Sequence, residues 1–244
     1  MENTLRVYET YCPTRGQKHY VPLKRFFDII LSGTMLVLLS PIFFLSAAAI
    51  KLDSHGPVLF RQKRVGRNGR KIIVYKFRSM DLSAPKNRST ASLRDSEKYI
   101  TRVGRILRKT SLDEIPQLIN ILRGDMSIIG PRPLIPQEND VHEMRYQNGV
   151  YFLRPGLTGL AQVNGRDLVS PEEKVRYDTE YLHTFSWRKD ISIFFETICK
   201  VFRRDGVVEG SEQVAPESFE QAEATEPADA KEQKRPCVST GGLE

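Results

Sequence analysis

One apolar run without a charged side chain, residues 29–50, constrains this chain more than any other feature; it starts directly after Asp28 and stops directly before Lys51. As a helix it would reach roughly 33 Å, close to the thickness of a bilayer's hydrocarbon core. A straight span conflicts with two features. Ser40-Pro41 falls near the middle, where proline removes a backbone donor and clashes with the preceding turn, so a bend is expected there. Basic residues flank both ends: Lys24 and Arg25 before the run, and Lys51, Arg61, Lys63, Arg64, Arg67, Arg70 and Lys71 after it. Basic flanks favour the cytoplasmic side, so both ends are best satisfied on one face, as in a re-entrant helix-break-helix. Ser40 can bond back to a carbonyl one turn earlier and so satisfy part of the broken backbone in lipid. A true span and a buried core helix are the competing readings. A signal peptide fits poorly, because the run is too long and no small-x-small site precedes a disulfide-rich domain.

The chain carries a net charge of +7, but residues 211–244 hold eight acidic and three basic residues, which leaves +12 on the remainder. A body this basic suits anionic lipid surfaces, phosphorylated substrates or nucleic acid, and the apolar run favours the first two. Cys12, Cys199 and Cys237 are scattered and odd in number, which suits a reduced, cytosol-facing protein, and the four histidines form no ligand pair. The organisation expected is a polar arm over residues 1–23, a membrane segment over 24–52, a globular domain over 53–210 and a disordered acidic tail over 211–244.

Within the domain, residues 58–65 and 71–78 flank Asn68-Gly69, the preferred centre of a two-residue hairpin loop. Residues 81–94 read as a loop, and 97–109 as a basic helix interrupted at Gly104. Ser111-Leu112-Asp113-Glu114 fits a capping box opening a helix that carries Ile115, Leu118, Ile119 and Leu122; the alternative is that Asp113 is itself the cap, with Pro116 in the first turn. Either arrangement sets two carboxylates beside partly positive N–H groups. In Gly130-Pro131-Arg132-Pro133, prolines restrict the backbone on both sides of Arg132, which suits an anchored phosphate-binding guanidinium. Arg154-Pro155-Gly156-Leu157-Thr158-Gly159 and Asn164-Gly165-Arg166 are further turns bearing arginine. Ser170-Pro171-Glu172-Glu173 starts a helix, and a later one puts Ile191, Phe194, Phe195, Ile198, Val201 and Phe202 on one face, with core packing the first reading and membrane-surface docking the second.

Taken together these residues resemble the bacterial sugar transferases, the monotopic polyprenyl-phosphate phosphoglycosyl transferases. The likeness runs through Lys24-Arg25-Phe26-Phe27-Asp28, Ser40-Pro41, Gly56-Pro57-Val58-Leu59-Phe60-Arg61-Gln62, Lys76-Phe77-Arg78-Ser79-Met80, Thr101-Arg102-Val103-Gly104 and Ser111 to Gln117. It continues through Gly124-Asp125-Met126-Ser127, Gly130 to Pro133, Arg154 to Gly159 and Gln162-Val163-Asn164-Gly165-Arg166. The resemblance implies a mainly α fold with a small β-hairpin, an α+β arrangement of re-entrant membrane helix and interfacial catalytic domain at the cytoplasmic face of the inner membrane. It implies transfer of a sugar phosphate from a UDP-sugar to undecaprenyl phosphate with Mg²⁺, as the first membrane step of a surface glycan. Asp113 would be the nucleophile, Glu114 the Mg²⁺ ligand, and Arg78, Arg108, Arg132 and Arg166 phosphate binders, with Ser40, Pro41, Lys24, Arg25 and Asp28 structural. Downstream glycosyltransferases and a homodimer are implied partners, and nucleic acid is not. The arm and the acidic tail match nothing in the pattern, and the extra membrane helices and soluble module of larger relatives are missing, which bears on regulation and partner choice.

Two other readings remain: a metal-dependent glycosyltransferase that releases UDP, and a basic membrane adaptor without catalysis. No Asp-x-Asp occurs, only Asp178-Thr179-Glu180 in an expected helix. The adaptor leaves Asp113, Glu114 and the rigid arginine turns without a role.

Overall fold

Thr14 and Gln17 open the first helix by capping each other reciprocally, and Gln17 also donates to the carbonyls of Leu182 (3.1 Å) and His183 (3.1 Å). A computed structural model describes residues 11–84, 96–165 and 169–203. Helices α1 (Arg15–Leu38) and α2 (Ser40–Asp53) lead into strands β1 (Leu59–Val65) and β2 (Lys71–Phe77). Helices α3 (Arg102–Lys109) and α4 (Gln117–Arg123) follow, then β3 (Ser127–Ile129), α5 (Asn139–Gln147), β4 (Gly156–Thr158), α6 (Leu160–Val163), α7 (Pro171–Thr184) and α8 (Trp187–Arg203). The chain divides into Met1–Gly210 and Ser211–Glu244. The acidic tail and Arg166 lie outside the described residues.

The stretch read as a polar arm is therefore docked from Tyr11 onward, and the boundary expected at residue 23 falls inside α1. The Thr14-x-x-Gln17 pair is the sequence signal for that start, and the Gln17 amide satisfies carbonyls left over at the end of α7. Cys199 is exposed and free, whereas Cys12 is held in a disulfide, against the expectation of reduced thiols throughout.

The expected break is present. α1 and α2 meet at Leu39 with a 60° bend; neither passes alone as a membrane span, and the bent pair passes by length and composition. Pro41 sits in the first turn of α2, where its missing N–H has no partner to lose. Ser40 Oγ donates to Val37 O at 2.7 Å, one turn back. The pair packs one face on the domain through Met35, Leu36, Leu39, Phe43, Ala47 and Ile50. Its other face leaves Val37 72%, Phe44 71% and Leu45 70% exposed, an apolar surface that marks an interaction site.

Three polar side chains near the foot of α1 tie it to distant parts of the chain. Lys24 pairs with Asp190 of α8, Arg25 donates to Ile121 O (2.6 Å) and Leu122 O (2.9 Å) of α4, and buried Asp28 accepts from Ile128 N (2.9 Å) of β3.

β1 and β2 form the expected antiparallel hairpin, but the ladder ends at Val65↔Lys71 and the connection spans Gly66 to Arg70. Asn68 (φ 58°) and Gly69 (φ 70°) are both left-handed, so the Asn-Gly chemistry is used within a wider loop. A second pair, β3 parallel to β4, was not foreseen, because three-residue strands carry too little pattern to register. The strands touch almost backbone to backbone: a Cβ on Gly156 would lie 2.2 Å from Gly130 N. Gly104 does not interrupt a helix either. It lies inside α3 because a Cβ there would meet Ser79 O at 2.0 Å, and α3 begins only at Arg102, after a separate turn at Ser96–Tyr99.

One core packs Phe77, Leu107, Ile115, Leu118, Ile121 and Met126 under the bent pair. Another packs Ile129, Leu153, Tyr181, Leu182, Phe185 and Ile193 around α7 and α8. The face expected of α8 is shifted: Ile193 is fully buried, while Ile191 and Phe195 are exposed. The capping box at Ser170 and Glu173 forms as expected.

Between α5 and α7 lies a buried ion pair, Arg145 Nη2 to Asp178 Oδ2 at 2.6 Å. Removing one partner strands the other charge in the interior, so Asp178→Ala should cost roughly 3–5 kcal/mol, read as a large fall in the melting temperature of detergent-purified protein. A change below about 1 kcal/mol would contradict this placement.

Candidate active site

The carboxylates of Asp113 and Glu114 are held by a 3₁₀ turn, Leu112–Glu114, that no capping box supports. Ser111 adopts φ 56°, ψ 16°, a left-handed conformation costly for a residue with a Cβ, and its side chain caps nothing. Asp113 is not a cap either: α4 starts at Gln117 with Pro116 at the N-cap position. Neither expected cap arrangement forms. The Glu114 carboxylate turns to a cation rather than back to the backbone.

That cation is Lys76 of β2. Its Nζ lies 2.6 Å from Glu114 Oε1 and 3.9 Å from Asp113 Oδ2. Arg132 Nη1 approaches the same Glu114 oxygen at 3.9 Å. Burial pushes the Asp113 carboxyl up, opposed by Lys76 and then, after the repulsion from Glu114, by Arg108 and Arg132. Burial acts on Glu114 too, but Lys76, Arg132 and a hydrogen bond from Gln117 outweigh it and hold that carboxyl at about 2. Two adjacent carboxylates thus differ sharply in basicity.

Arg132 follows β3, and its carbonyl accepts from Arg145 Nη1 at 2.9 Å, so the buried Arg145–Asp178 pair fixes the loop that presents it. Its side chain is 46% exposed, open to a ligand. Arg108, in the last turn of α3, has a buried Nη1 with no hydrogen-bond partner, an unmet donor beside the carboxylates that acts electrostatically on Asp113.

Arg78 does not join them. It is 4% exposed and gives its guanidinium to His55 O (2.7 Å), Ser54 O (2.7 Å) and Ser54 Oγ (2.9 Å), closing the carbonyl end of α2. The structure therefore places Arg78 at the end of α2 and not beside Asp113, with both Nη groups engaged there and a buried Nε that has no partner. Of the expected site residues, Asp113, Glu114, Arg108 and Arg132 come together, and Arg166 lies outside the described residues. Ser40, Lys24, Arg25 and Asp28 sit at the bend and foot of α1, apart from this cluster.

Sequence reasoning missed Lys76, Gln117 and Arg64. Lys76 lies two residues before Arg78 on the same strand face, the alternation that should have been followed. Arg64 Nη1 donates to Pro133 O at 3.1 Å, and burial together with Arg132 brings its guanidinium down to about 10. Asp178, the residue nearest to an Asp-x-Asp signal, is consumed by Arg145.

Residues 19–204 match the family described as bacterial sugar transferase, and the chain belongs to that family. It is 43% identical over 189 residues to the UDP-glucose:undecaprenyl-phosphate glucose-1-phosphate transferase of Escherichia coli K12, covering 74% of this chain and 40% of that one. Exopolysaccharide production protein ExoY of Rhizobium meliloti is 38% identical over 192 residues, 72% of this chain and 83% of its own. The uncharacterized sugar transferase EpsL of Bacillus subtilis is 37% identical over 185 residues, 76% of this chain and 90% of its own. The chain thus spans about two fifths of the length of the E. coli relative.

If Arg78 acts only by closing α2, Arg78→Ala should lower the melting temperature while the KM for nucleotide sugar, measured on the folded fraction, changes less than about twofold. A tenfold rise in KM, about 1.4 kcal/mol of lost binding, at unchanged stability would return Arg78 to the site.

Proposed function

We propose that this chain transfers a sugar 1-phosphate from a UDP-sugar to undecaprenyl phosphate at the cytoplasmic face of the inner membrane, releasing UMP. The observation that carries this reading is the Asp113 carboxylate set among Lys76, Arg108 and Arg132, with one Arg108 donor unmet. Relatives named for transfer of a sugar phosphate to undecaprenyl phosphate support the substrate class.

In this scheme an Asp113 oxygen attacks the sugar-bearing phosphorus. The bond from that phosphorus to UMP breaks, UMP leaves with the electron pair, and a sugar-phosphoryl aspartate remains. An oxygen of the lipid phosphate then attacks the same phosphorus. The bond to Asp113 breaks, which restores the carboxylate and gives the polyprenyl-diphosphate sugar. Arg108 and Arg132 bind the phosphate oxygens, and Lys76 keeps the buried nucleophile ionised.

The donor set suits Mg²⁺, which takes hard oxygens and needs only one or two carboxylates besides substrate phosphates and water. Among the described residues no cluster of three His, Cys, Asp or Glu side chains forms, and Glu114 is the carboxylate that would hold the ion together with substrate phosphates and water. When bound, it would neutralise charge between the phosphates. The apolar face of the bent helix pair would set the depth of Asp113 at the bilayer surface, where a soluble nucleotide sugar meets a lipid phosphate.

Enzyme with Mg²⁺ and radiolabelled UDP-sugar should release UMP and retain label without any lipid acceptor, and Asp113→Asn should abolish both. UMP appearing only when undecaprenyl phosphate is present would demote Asp113 to a supporting group. Because burial raises the Asp113 carboxyl, labelling should fall on acidification at a higher pH than an ordinary aspartate implies. Lys76→Met, which removes the cation opposing that rise, should move this limb to higher pH. A shift of the opposite sign would exclude this electrostatic account.

The topology has its own check. Cysteines introduced near residues 20 and 55 should both resist an impermeant thiol reagent in intact cells, and labelling of only one would indicate a span.

A further inference from the structure

A second group of cations gathers where the foot of α1 meets the β3–β4 pair, at the opposite end of α4 from Asp113. Lys24, Arg25, Arg67 and Arg154 line one cleft with Asp28 and Ser127. Four basic side chains thus face a single carboxylate, which already accepts from Ile128 N.

Their partners decide what the cleft can hold. Lys24 is paired with Asp190, which also accepts from the hydroxyls of Tyr20 and Tyr181. Arg25 spends its donors on the carbonyl end of α4. Arg67 is different: Nε donates to Phe152 O at 2.9 Å and the guanidinium lies 5.3 Å over the Phe152 ring, which fixes it without neutralising it. Arg154 likewise donates Nε to Gly124 O at 3.1 Å. Among the described residues no carboxylate pairs with Arg67 or Arg154. Burial and the nearness of Arg67 and Arg25 press the Arg154 guanidinium below its ordinary value, with Asp28 only partly compensating.

An independent observation comes from Ser127. It is 1% exposed, lines the cleft, is fixed by its backbone N–H bond to Pro155 O, and its Oγ has no hydrogen-bond partner. A buried hydroxyl left unmet is costly, as are confined like charges that one carboxylate only partly offsets. One ligand answers both: an oxyanion that accepts from two guanidinium groups and a hydroxyl.

We propose that the cleft formed by Arg67, Arg154 and Ser127 is a second anion site, separate from the Asp113 cluster, that takes a phosphate group. Lys24 and Arg25 lie one helical turn before the apolar run, so on the membrane reading the cleft lies at headgroup depth and a phospholipid phosphate reaches it. A soluble phosphate presents the same oxygens. The inference rests on the cleft and not on the transfer reaction; only the choice of source draws on the membrane reading.

The test uses full-length protein carrying Asp113→Asn and Arg132→Met, which weakens phosphate binding at the first cluster. In detergent, inorganic phosphate should raise the melting temperature saturably relative to chloride at matched ionic strength. Arg67→Gln, Arg154→Gln or Ser127→Ala, each added to that parent, should weaken the apparent affinity about tenfold or more, the loss expected for one hydrogen bond to a charged group. Ser127→Ala guards against misfolding, because removing an unpartnered hydroxyl should leave the ligand-free melting temperature unchanged or higher. In a second arm, the same proteins enter nanodiscs of phosphatidylcholine with or without phosphatidylglycerol. Stabilisation by phosphatidylglycerol that Ser127→Ala abolishes assigns the site to a lipid headgroup, and a response to inorganic phosphate alone assigns it to a soluble anion. A parent that responds to neither, or variants that respond as the parent does, would overturn the proposal. Covalent labelling of Asp113 is a separate readout, so failure here leaves the transfer reaction untouched and the reverse also holds.

Discussion

The grip of Arg25 on the last carbonyls of α4 is the contact through which the two halves of the proposed function communicate. α4 is a short rod of seven residues, Gln117–Arg123. Arg25 holds its far end to the foot of the apolar helix pair, and the Leu112–Glu114 turn that carries both carboxylates stands just ahead of its near end. Exposed carbonyls at a helix C-terminus are natural partners for a guanidinium, because the aligned peptide dipoles leave partial negative charge there. Lys24 and Asp28 add anchors to α8 and β3, so the helix pair is bolted at three separated points and cannot pivot without breaking one of them. Rigid attachment is what a site needs if its depth in an interface is to be fixed.

Asp113 and Glu114 show how one lysine differentiates two neighbouring carboxylates. Lys76 bonds Glu114 directly and stands off Asp113 by more than an ångström further, so the first is held firmly ionised while burial dominates the second. A strongly stabilised carboxylate suits an electrostatic or ligand role, and a less stabilised one is the better nucleophile. Arg145 and Asp178 contribute from behind: their buried pair braces the backbone of Arg132, which lets an exposed guanidinium be presented from a rigid loop.

Features governed by local chemistry were legible in the sequence. The break at Ser40-Pro41 and the capping box at Ser170 each depend on a few adjacent residues, and each formed, whereas Asn68-Gly69 took its left-handed conformation in a wider loop than the two-residue one expected. The Asp113-Glu114 pair and the proline-bound Arg132 were legible through their motifs. What failed depends on contacts far along the chain. Ser111-x-x-Glu114 has the pattern of a capping box, yet a lysine 38 residues earlier outcompeted the backbone for the carboxylate. Arg78 has the composition of a phosphate ligand, but α2 ends against it. Gly104 has the look of an interruption because a close approach to Ser79 leaves no trace in a one-dimensional pattern.

The 60° bend carries a mechanical consequence. Measured from the bend, the apolar part of α1 extends about 15 Å and that of α2 about 17 Å, each roughly half of a hydrocarbon core. Inserted as proposed, the pair would occupy a single leaflet and displace lipid there without displacing any in the opposite one. Two helices of about 10 Å diameter would add an area on the order of 150 Å² to that leaflet alone. The protein would then act as a wedge, and its retention would respond to lipid packing stress on one side of the bilayer, a sensitivity that a full span, taking equal area from both leaflets, does not have.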